Sequence, residues 1–281
     1  MPTIAYHSDQ ESLLHPDLLP TLFTAHSSPN DVQTGIECAR LAYVKAELGG
    51  AELAKLTAAL AVAGFGSPTL FSDSATDTRG YGAVRADGKA LLAFRGTQVD
   101  QLKDLLTDIA AIPVPWPEAG GNVHDGFARA MRSVLEQVRG WVQSGSIQPA
   151  RLLVCGHSLG AALATLAASI FRPGTLITIG SPRTGDATFA QSVQQTLTVR
   201  IVDCCDVVTH LPFEGPHYTH VGNLRYIDRN GVVARAPDDS VVVADQIRAR
   251  LDYGLTGLAA GAVPSRDLAD HAPVNYARAF F

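Results

Sequence analysis

The spacing of apolar residues changes along the chain, and it predicts where helices and strands lie. In residues 31–48 and 51–63, apolar side chains recur at roughly helical intervals. Residues 1–28 show little periodicity, so we expect a loose segment that packs on the rest of the protein. The N-terminal 80 residues are therefore predicted to be a mainly helical part of the fold.

From residue 81 onward, predicted strands alternate with predicted helices. Apolar segments flank Asp87-Gly88 in residues 81–97 and Asn230-Gly231 in residues 217–236, a pattern typical of hairpins. Between the hairpins, a long amphipathic helix at 124–145 precedes strands at 152–156, 175–183 and 198–206, with helices at 159–171 and 186–196. Such alternation indicates parallel crossovers. We expect a single α/β domain over residues 1–281, with a mostly parallel central sheet and antiparallel edge hairpins.

Composition narrows the class of protein. Apolar residues make up 46% of the chain and charged residues 17%, which is typical of a soluble globular protein with a sizeable core. The net charge is −5 and no dense Lys/Arg run occurs, so we expect no nucleic-acid partner. The apolar runs fall short of the ~18–20 residues that a transmembrane segment needs.

Two further features bear on compartment and cofactors. The N-terminus lacks the basic and apolar regions of a signal peptide, so we expect a cytoplasmic protein, or a secreted one if a signal has been removed. Four cysteines in 281 residues are too sparse for a disulfide scaffold, and no Cys/His spacing is typical of zinc. We expect free thiols, no metal and no cofactor.

The pentapeptide Gly-His-Ser-Leu-Gly at 156–160 is the main candidate for chemistry. An apolar strand precedes it and an alanine-rich helix follows it. A serine is a weak nucleophile unless a base removes its proton and a sharp turn presents its oxygen, and flanking glycines relieve the crowding in such a turn. We therefore predict that Ser158 is a nucleophile, rather than a helix-capping serine.

Such a serine needs a carboxylate and a histidine later in the chain. Asp206 closes the predicted strand at 198–206, at the edge where ligands gather in such sheets, and Asp203, within that strand, is the alternative acid. His271 lies in a predicted loop before the last helix and is the favoured base. His220, like His217, falls in a predicted strand and is the weaker alternative.

Several motifs in order resemble the class 3 lipase family. They are LLAFRGT (91–97), VHDGF (123–127), GHSLGAALA (156–164), TIGSPRTGD (178–186), RIVDCCDVVTHLP (200–212), YTHVG (218–222), and His271 ahead of Tyr276. The resemblance runs from about residue 81 to 276, and residues 1–80 match only loosely. It implies an α/β-hydrolase fold with Ser158, Asp206 and His271 as catalytic triad, and an oxyanion hole formed by Thr97 and the backbone N–H of Leu159. Asp203 stands where the family usually has Asn.

The resemblance also implies a short helical lid. Residues 97–117 follow the oxyanion residue and carry an apolar stripe at helical spacing. This stripe either covers the acyl pocket and turns toward a lipid interface, or is part of a fixed surface helix.

The function predicted from these features is hydrolysis of carboxylic esters. Triacylglycerol lipase activity is favoured, with acylglycerol as the substrate. Short-chain carboxylesterase, phospholipase A1 and feruloyl esterase activities are alternatives on the same fold. An inactive binding protein is the alternative from another class.

Overall fold

The protein is built around a central sheet whose strands lie in the order β1-β2-β3-β6-β7-β8-β9-β10. A computed structural model describes residues 4–25, 28–96, 112–256 and 261–281. The strands are β1 (Thr69–Asp73), β2 (Thr78–Val84), β3 (Ala90–Phe94), β6 (Leu152–His157), β7 (Thr175–Ile179), β8 (Leu197–Asp203), β9 (Asn223–Ile227) and β10 (Val233–Arg235). Two short strands, β4 (Pro113–Pro115) and β5 (Asn122–His124), pair separately.

The pairing confirms the predicted mixed sheet. Strands β3, β6, β7, β8 and β9 are parallel to one another, whereas β1, β2 and β10 add antiparallel pairs at the two edges. Because parallel strands are joined by crossovers, their carboxyl ends meet along one edge of the sheet. The loops that follow β6 and β8 therefore emerge at the same edge, on either side of β7.

Helices cover both faces of this sheet. In chain order they are α1 (Gln10–Leu14), α2 (Asp31–Leu41), α3 (Gly50–Val62), α4 (Asp125–Ser144), α5 (Leu159–Phe171), α6 (Ala187–Ser192), α7 (Asp239–Thr256), α8 (Arg266–Ala269) and α9 (Pro273–Ala277). Among the residues that the structure describes, no helix is both long and apolar enough to cross a membrane.

The two faces of the central strands lie in two separate cores. Leu91 and Leu153 belong to the core beneath α2 and α3, while Leu92 and Val154 belong to the core beneath α4 and α5. Since every residue of these strands is buried against one helix layer or the other, the strands form continuous apolar runs rather than alternating patterns.

Several predicted elements are corrected by the structure. The helix predicted over 31–48 ends at Leu41, followed by turns and a short 3₁₀ helix at Ala46–Leu48. The second hairpin begins only at Asn223, so the strand predicted around His217 and His220 is wrong: residues 217–222 reach β9 through Gly222 at φ 86°. Strand β1 and helix α7 were not predicted at all.

The N-terminal segment is also better anchored than its sequence indicated. The Tyr6 hydroxyl donates to Asp270 at 2.8 Å, and the backbone N–H of His7 donates to Asn275 Oδ1 at 2.8 Å. These contacts tie residues that are far apart in sequence to the short segment containing His271. The loose segment expected here is therefore replaced by specific hydrogen bonds.

Candidate active site

Ser158 occupies a strained turn between β6 and α5. Its backbone has φ 58° and ψ −130°, values that residues with a side chain rarely adopt. Its N–H donates to the carbonyl of Ile179 at the end of β7, at 3.0 Å. The turn thus places the Ser158 side chain at the carboxyl edge of the sheet.

The flanking glycines are required by close packing of this turn. A Cβ added at Gly156 would lie 2.1 Å from the carbonyl oxygen of Gly160. One added at Gly160 would lie 2.2 Å from the carbonyl oxygen of Phe94 in β3. Any side chain at either position would collide with backbone, so only glycine allows strand, turn and helix to approach this closely.

Hydrogen bonds connect Ser158, His271 and Asp206. Ser158 Oγ lies 3.0 Å from His271 Nε2, and His271 Nδ1 lies 3.0 and 2.9 Å from the two carboxylate oxygens of Asp206. All three side chains are buried, at 2% exposure or less. Because the aspartate can only accept at Nδ1, it favours the tautomer whose Nε2 can accept the serine proton.

Two further donors hold the Asp206 carboxylate. The backbone N–H of Val208 donates to Oδ1 at 2.9 Å, and the hydroxyl of Tyr276 donates to Oδ2 at 2.5 Å. Burial, followed by the negative charge of Asp206, raises the pKa of Tyr276 well above its usual value. Tyr276 therefore stays protonated and remains a donor, a role that its place in the motif series did not reveal.

A second buried network supports His271 from behind. The His157 ring lies between the Tyr43 hydroxyl, 2.7 Å from Nδ1, and the backbone carbonyl of His271, 2.9 Å from Nε2. A carbonyl only accepts, so Nε2 carries the proton and Nδ1 accepts from Tyr43. Burial, and then the nearby His271, hold the pKa of His157 well below its usual value. No sequence signal linked Tyr43 to this site, 114 residues from His157.

The alternative acid and base lie outside this hydrogen-bonded chain. Asp203 is fully buried, and neither carboxyl oxygen has a hydrogen-bond partner among the described residues. Burial, and then the charge of Asp270, raise the pKa of Asp203 well above its usual value, which favours its neutral form. His220 Nε2 donates instead to the carbonyl of Thr209, at 2.8 Å.

Of the two expected oxyanion donors, only Leu159 lies among the described residues. Leu159 is the first residue of α5, and the first N–H groups of a helix have no partner within it. Arg95, two residues before Thr97, is buried and forms ion pairs with Glu47 and Asp77. Thr97 itself, and residues 97–111 of the predicted lid, lie outside the described residues.

One group of side chains has the composition of a metal site. Ligand atoms of Cys204, Cys205 and Asp270 lie within 4.8 Å of one another, and all three residues are buried. Arg266 Nε, however, is already 2.7 Å from Asp270 and neutralises its charge. The two sulfur atoms lie 3.6 Å apart, and the four cysteines, all in described parts of the chain, are free thiols.

The fold and the turn at Ser158 define the class of protein as an α/β-hydrolase. Its serine lies within hydrogen-bond distance of a histidine at the carboxyl edge of a mostly parallel sheet. Residues 91–215 match the sequence pattern of the family described as lipase (class 3). Over these residues the chain is similar to class 3 lipases.

Individual relatives agree with this assignment. A lipase of Rhizopus niveus is 32% identical over 170 residues, covering 55% of this chain and 43% of the relative. The secreted mono- and diacylglycerol lipase A of Penicillium cyclopium is 31% identical over 187 residues, covering 62% and 61%. The solved Rhizomucor miehei triacylglyceride lipase superposes with a TM-score of 0.58 at 26% identity, over 70% of this chain and 78% of that one.

These relatives also show what share of their length this chain spans and, for one of them, a compartment. The chain spans about half the length of the curated relatives it matches. One of the two is named as secreted. The expected cytoplasmic location therefore finds no support in them.

Proposed function

We propose that the protein hydrolyses carboxylic esters of acylglycerols through an acyl-enzyme intermediate. The observation that carries this proposal is the chain of hydrogen bonds from Ser158 through His271 to Asp206. The match of residues 91–215 to the class 3 lipase family and the names of the relatives support the choice of ester and of acylglycerol.

In this mechanism Ser158 Oγ attacks the ester carbonyl while His271 Nε2 takes its proton. Asp206 stabilises the imidazolium that forms, and His271 then returns the proton to the leaving alcohol. Water, activated by the same histidine, releases the fatty acid. The backbone N–H of Leu159 and Thr97 are the proposed donors to the oxyanion, a contribution of roughly 3–4 kcal/mol per donor in comparable enzymes.

The surroundings of His271 favour this charge separation. Because His157 remains neutral, no second imidazolium opposes the positive charge that develops on His271. The backbone carbonyl of His271 accepts a hydrogen bond from His157, and Asp206 holds the ring of His271. Both the backbone and the side chain of the proposed base are therefore oriented before substrate binds, which reduces reorganisation during reaction.

Replacement of the nucleophile tests the proposal. In a folded Ser158→Ala protein we expect kcat to fall by about 10⁴–10⁶-fold, since members of such a triad act as a unit. A fluorophosphonate probe should label the unaltered protein, but not the variant. Turnover of the variant within about tenfold of the unaltered protein would exclude Ser158 as nucleophile, whereas absence of both labelling and turnover in the unaltered protein would favour an inactive binding protein.

The substrate is best defined by a panel of esters. p-Nitrophenyl esters of increasing acyl length, emulsified triolein, diolein and phosphatidylcholine should be compared at equal enzyme concentration. We expect long-chain acylglycerols to be preferred. A preference for phosphatidylcholine would identify a phospholipase A1, and one for acetate or feruloyl esters would identify the corresponding esterase.

We infer that the protein is secreted, the alternative compartment of the sequence analysis. The support is the name of the Penicillium relative. Immunodetection in the culture medium and in cell extracts of the producing organism tests this inference, and confinement to the extract would contradict it.

A further inference from the structure

Helix α7 carries a set of apolar side chains on its solvent side. Ile247, Leu251 and Leu255 are 54%, 63% and 85% exposed. The residues buried on its inner side are Asp245, Gln246, Ala249 and Tyr253. Since surface helices of globular proteins normally bury their large apolar residues, the exposed set departs from ordinary amphipathic patterning.

Local hydrogen bonds explain why two polar side chains of α7 face inward. Asp245 accepts from the Tyr226 hydroxyl at 2.9 Å and from Arg229 Nη1 at 2.6 Å. Gln246 Nε2 donates to the carbonyl of Cys204 at 2.8 Å. These satisfied bonds hold the helix in one rotational position, so the opposite side must face outward.

The outward apolar residues form one row. Val243, Ile247, Leu251 and Leu255 are spaced four residues apart on consecutive turns, and each is exposed. Residues at this spacing are neighbours on a helix surface. We call this row the α7 stripe. Isolated exposed apolar residues are common, but a continuous row of them marks an interaction surface.

The α7 stripe lies beside the edge of the sheet that carries the proposed active site. Gln246 contacts Cys204, two residues before Asp206. Further along the helix, Arg250 pairs with Asp267 at 2.7 Å, four residues before His271. The C-terminal half of the stripe is thus fixed to both loops that carry the partners of Ser158.

The charges next to the stripe suit a lipid surface. Arg250 is paired with Asp267, and Asp252 lies 3.9 Å from Arg229. Docking on an apolar surface therefore leaves Arg250 and Asp252 each beside an opposite charge of the protein. Arg248 is exposed between Ile247 and Leu251, where its long stem can lie on lipid while the guanidinium reaches the head groups.

We propose that the α7 stripe is a lipid-docking surface that holds the carboxyl edge of the sheet against the surface of the substrate aggregate. The identity of the occupant rests on the proposed function, because an acylglycerol ester reaches Ser158 from an aggregate rather than from free solution. A second copy of the chain paired through α7 would instead cover the edge beside the active site.

Vesicle binding of a catalytically silenced protein tests this surface without reference to turnover. In a Ser158→Ala background, Ile247→Ser/Leu251→Ser is compared with Val84→Ser/Leu197→Ser, which removes exposed apolar residues at the opposite, amino-terminal edge of the sheet. Flotation with dioleoylphosphatidylcholine vesicles measures the partition coefficient. We expect a loss of about tenfold or more for the α7 variant and a change within about twofold for the control.

Further measurements make each result decisive. Circular dichroism and the thermal midpoint show that the variants are folded, and Leu255→Ser, at the most exposed position, provides a second variant of the stripe. Equal binding by the α7 variant and the unaltered protein, or no binding by either, overturns the proposal. So does a lipid-free dimer that the α7 substitutions convert to a monomer, since the occupant is then a second copy. Hydrolysis of soluble p-nitrophenyl acetate is measured separately, so that failure of the proposed function is recognised on its own.

Discussion

At the scale of single residues, two neighbouring aspartates differ in their surroundings. Asp206 accepts hydrogen bonds from His271, Val208 and Tyr276, whereas Asp203 is buried without such partners among the described residues. Donors stabilise a carboxylate, and burial without donors favours the neutral acid. Two carboxyl groups three positions apart are therefore expected to have different protonation states and different roles.

Substitution by asparagine separates these roles. Asp206→Asn should lower kcat by about 10⁴-fold, because His271 loses the acceptor that fixes its tautomer. Asp203→Asn should change kcat by less than about threefold, since a protonated carboxyl and an amide are similar in shape and charge. Steady-state hydrolysis of one soluble ester measures both variants, and the reverse order of effects would identify Asp203 as the triad acid.

The thermal stability of the same Asp203→Asn variant should depend on pH differently from that of the unaltered protein. The pKa of Asp203 is raised in the folded protein, so above the unfolded value of about 3.9 the unfolded chain loses this proton while the folded one keeps it. Stability of the unaltered protein is therefore lost as pH rises from about 4 toward the folded pKa. The variant lacks this loss and should gain more in thermal midpoint at pH 8 than at pH 5. A gain that is constant with pH would contradict the assignment.

At the scale of elements, the β6–turn–α5 unit depends on the absence of side chains. The positive φ of Ser158 and the contacts of Gly156 and Gly160 all arise in five consecutive residues between two layers of backbone. Strain of this kind persists only where the surrounding structure over-determines it. Here the surrounding structure is the end of β3 and the carbonyl of Ile179.

Glycine-to-alanine substitutions measure this constraint. Gly160→Ala should lower the free energy of unfolding by about 3 kcal/mol and reduce activity, because its Cβ would meet the carbonyl of Phe94 at 2.2 Å. Gly140→Ala in α4 is the control: nothing lies within 4 Å of its Cβ position, so helix propensity should raise stability by about 0.5–1 kcal/mol. Urea unfolding of the two variants makes the comparison, and equal effects would show that the turn tolerates a side chain.

At the scale of the whole molecule, the first and last parts of the chain meet near His271. Asn275 bonds both the N–H and the carbonyl of His7 and also the carbonyl of Ala269, while Tyr6 reaches Asp270. The N-terminal segment thus supports the short helices α8 and α9 on either side of the proposed base. This long-range closure favours a single cooperative domain over residues 1–281, which stays a prediction.

Calorimetry tests that prediction. Unfolding should be a single transition whose calorimetric and van't Hoff enthalpies agree. Asn275→Ala should lower the midpoint of this transition, since it leaves the partly buried backbone N–H and carbonyl of His7 without their Asn275 partners, and the transition should remain single. A separate low-temperature transition for the N-terminal part would contradict a single domain.

Features encoded by residues that are close together in the sequence could be predicted, whereas features that depend on distant residues could not. The strand–helix alternation, the hairpins at Asp87-Gly88 and Asn230-Gly231, and the turn at Ser158 are each encoded within a few residues, and the structure has these elements. Helix α7 was missed because polar and apolar residues occur on both of its sides, with Asp245 buried and Ile247 exposed. Its local pattern resembles no ordinary amphipathic helix, and only its partners on β9 and beside Asp206 determine which side is buried.

The sequence by itself determined the chemistry available at the site, because a serine between two glycines, a later aspartate and a later histidine are local facts about residue types. Tertiary structure alone decided their surroundings: that Tyr276 donates to Asp206, that His157, held by Tyr43, donates to the carbonyl of His271, and that burial raises the pKa of Asp203. These contacts join residues up to 114 positions apart. The backbone path that brings such residues together is set by packing of the whole sheet, and burial and hydrogen-bond partners do not exist until that packing is complete.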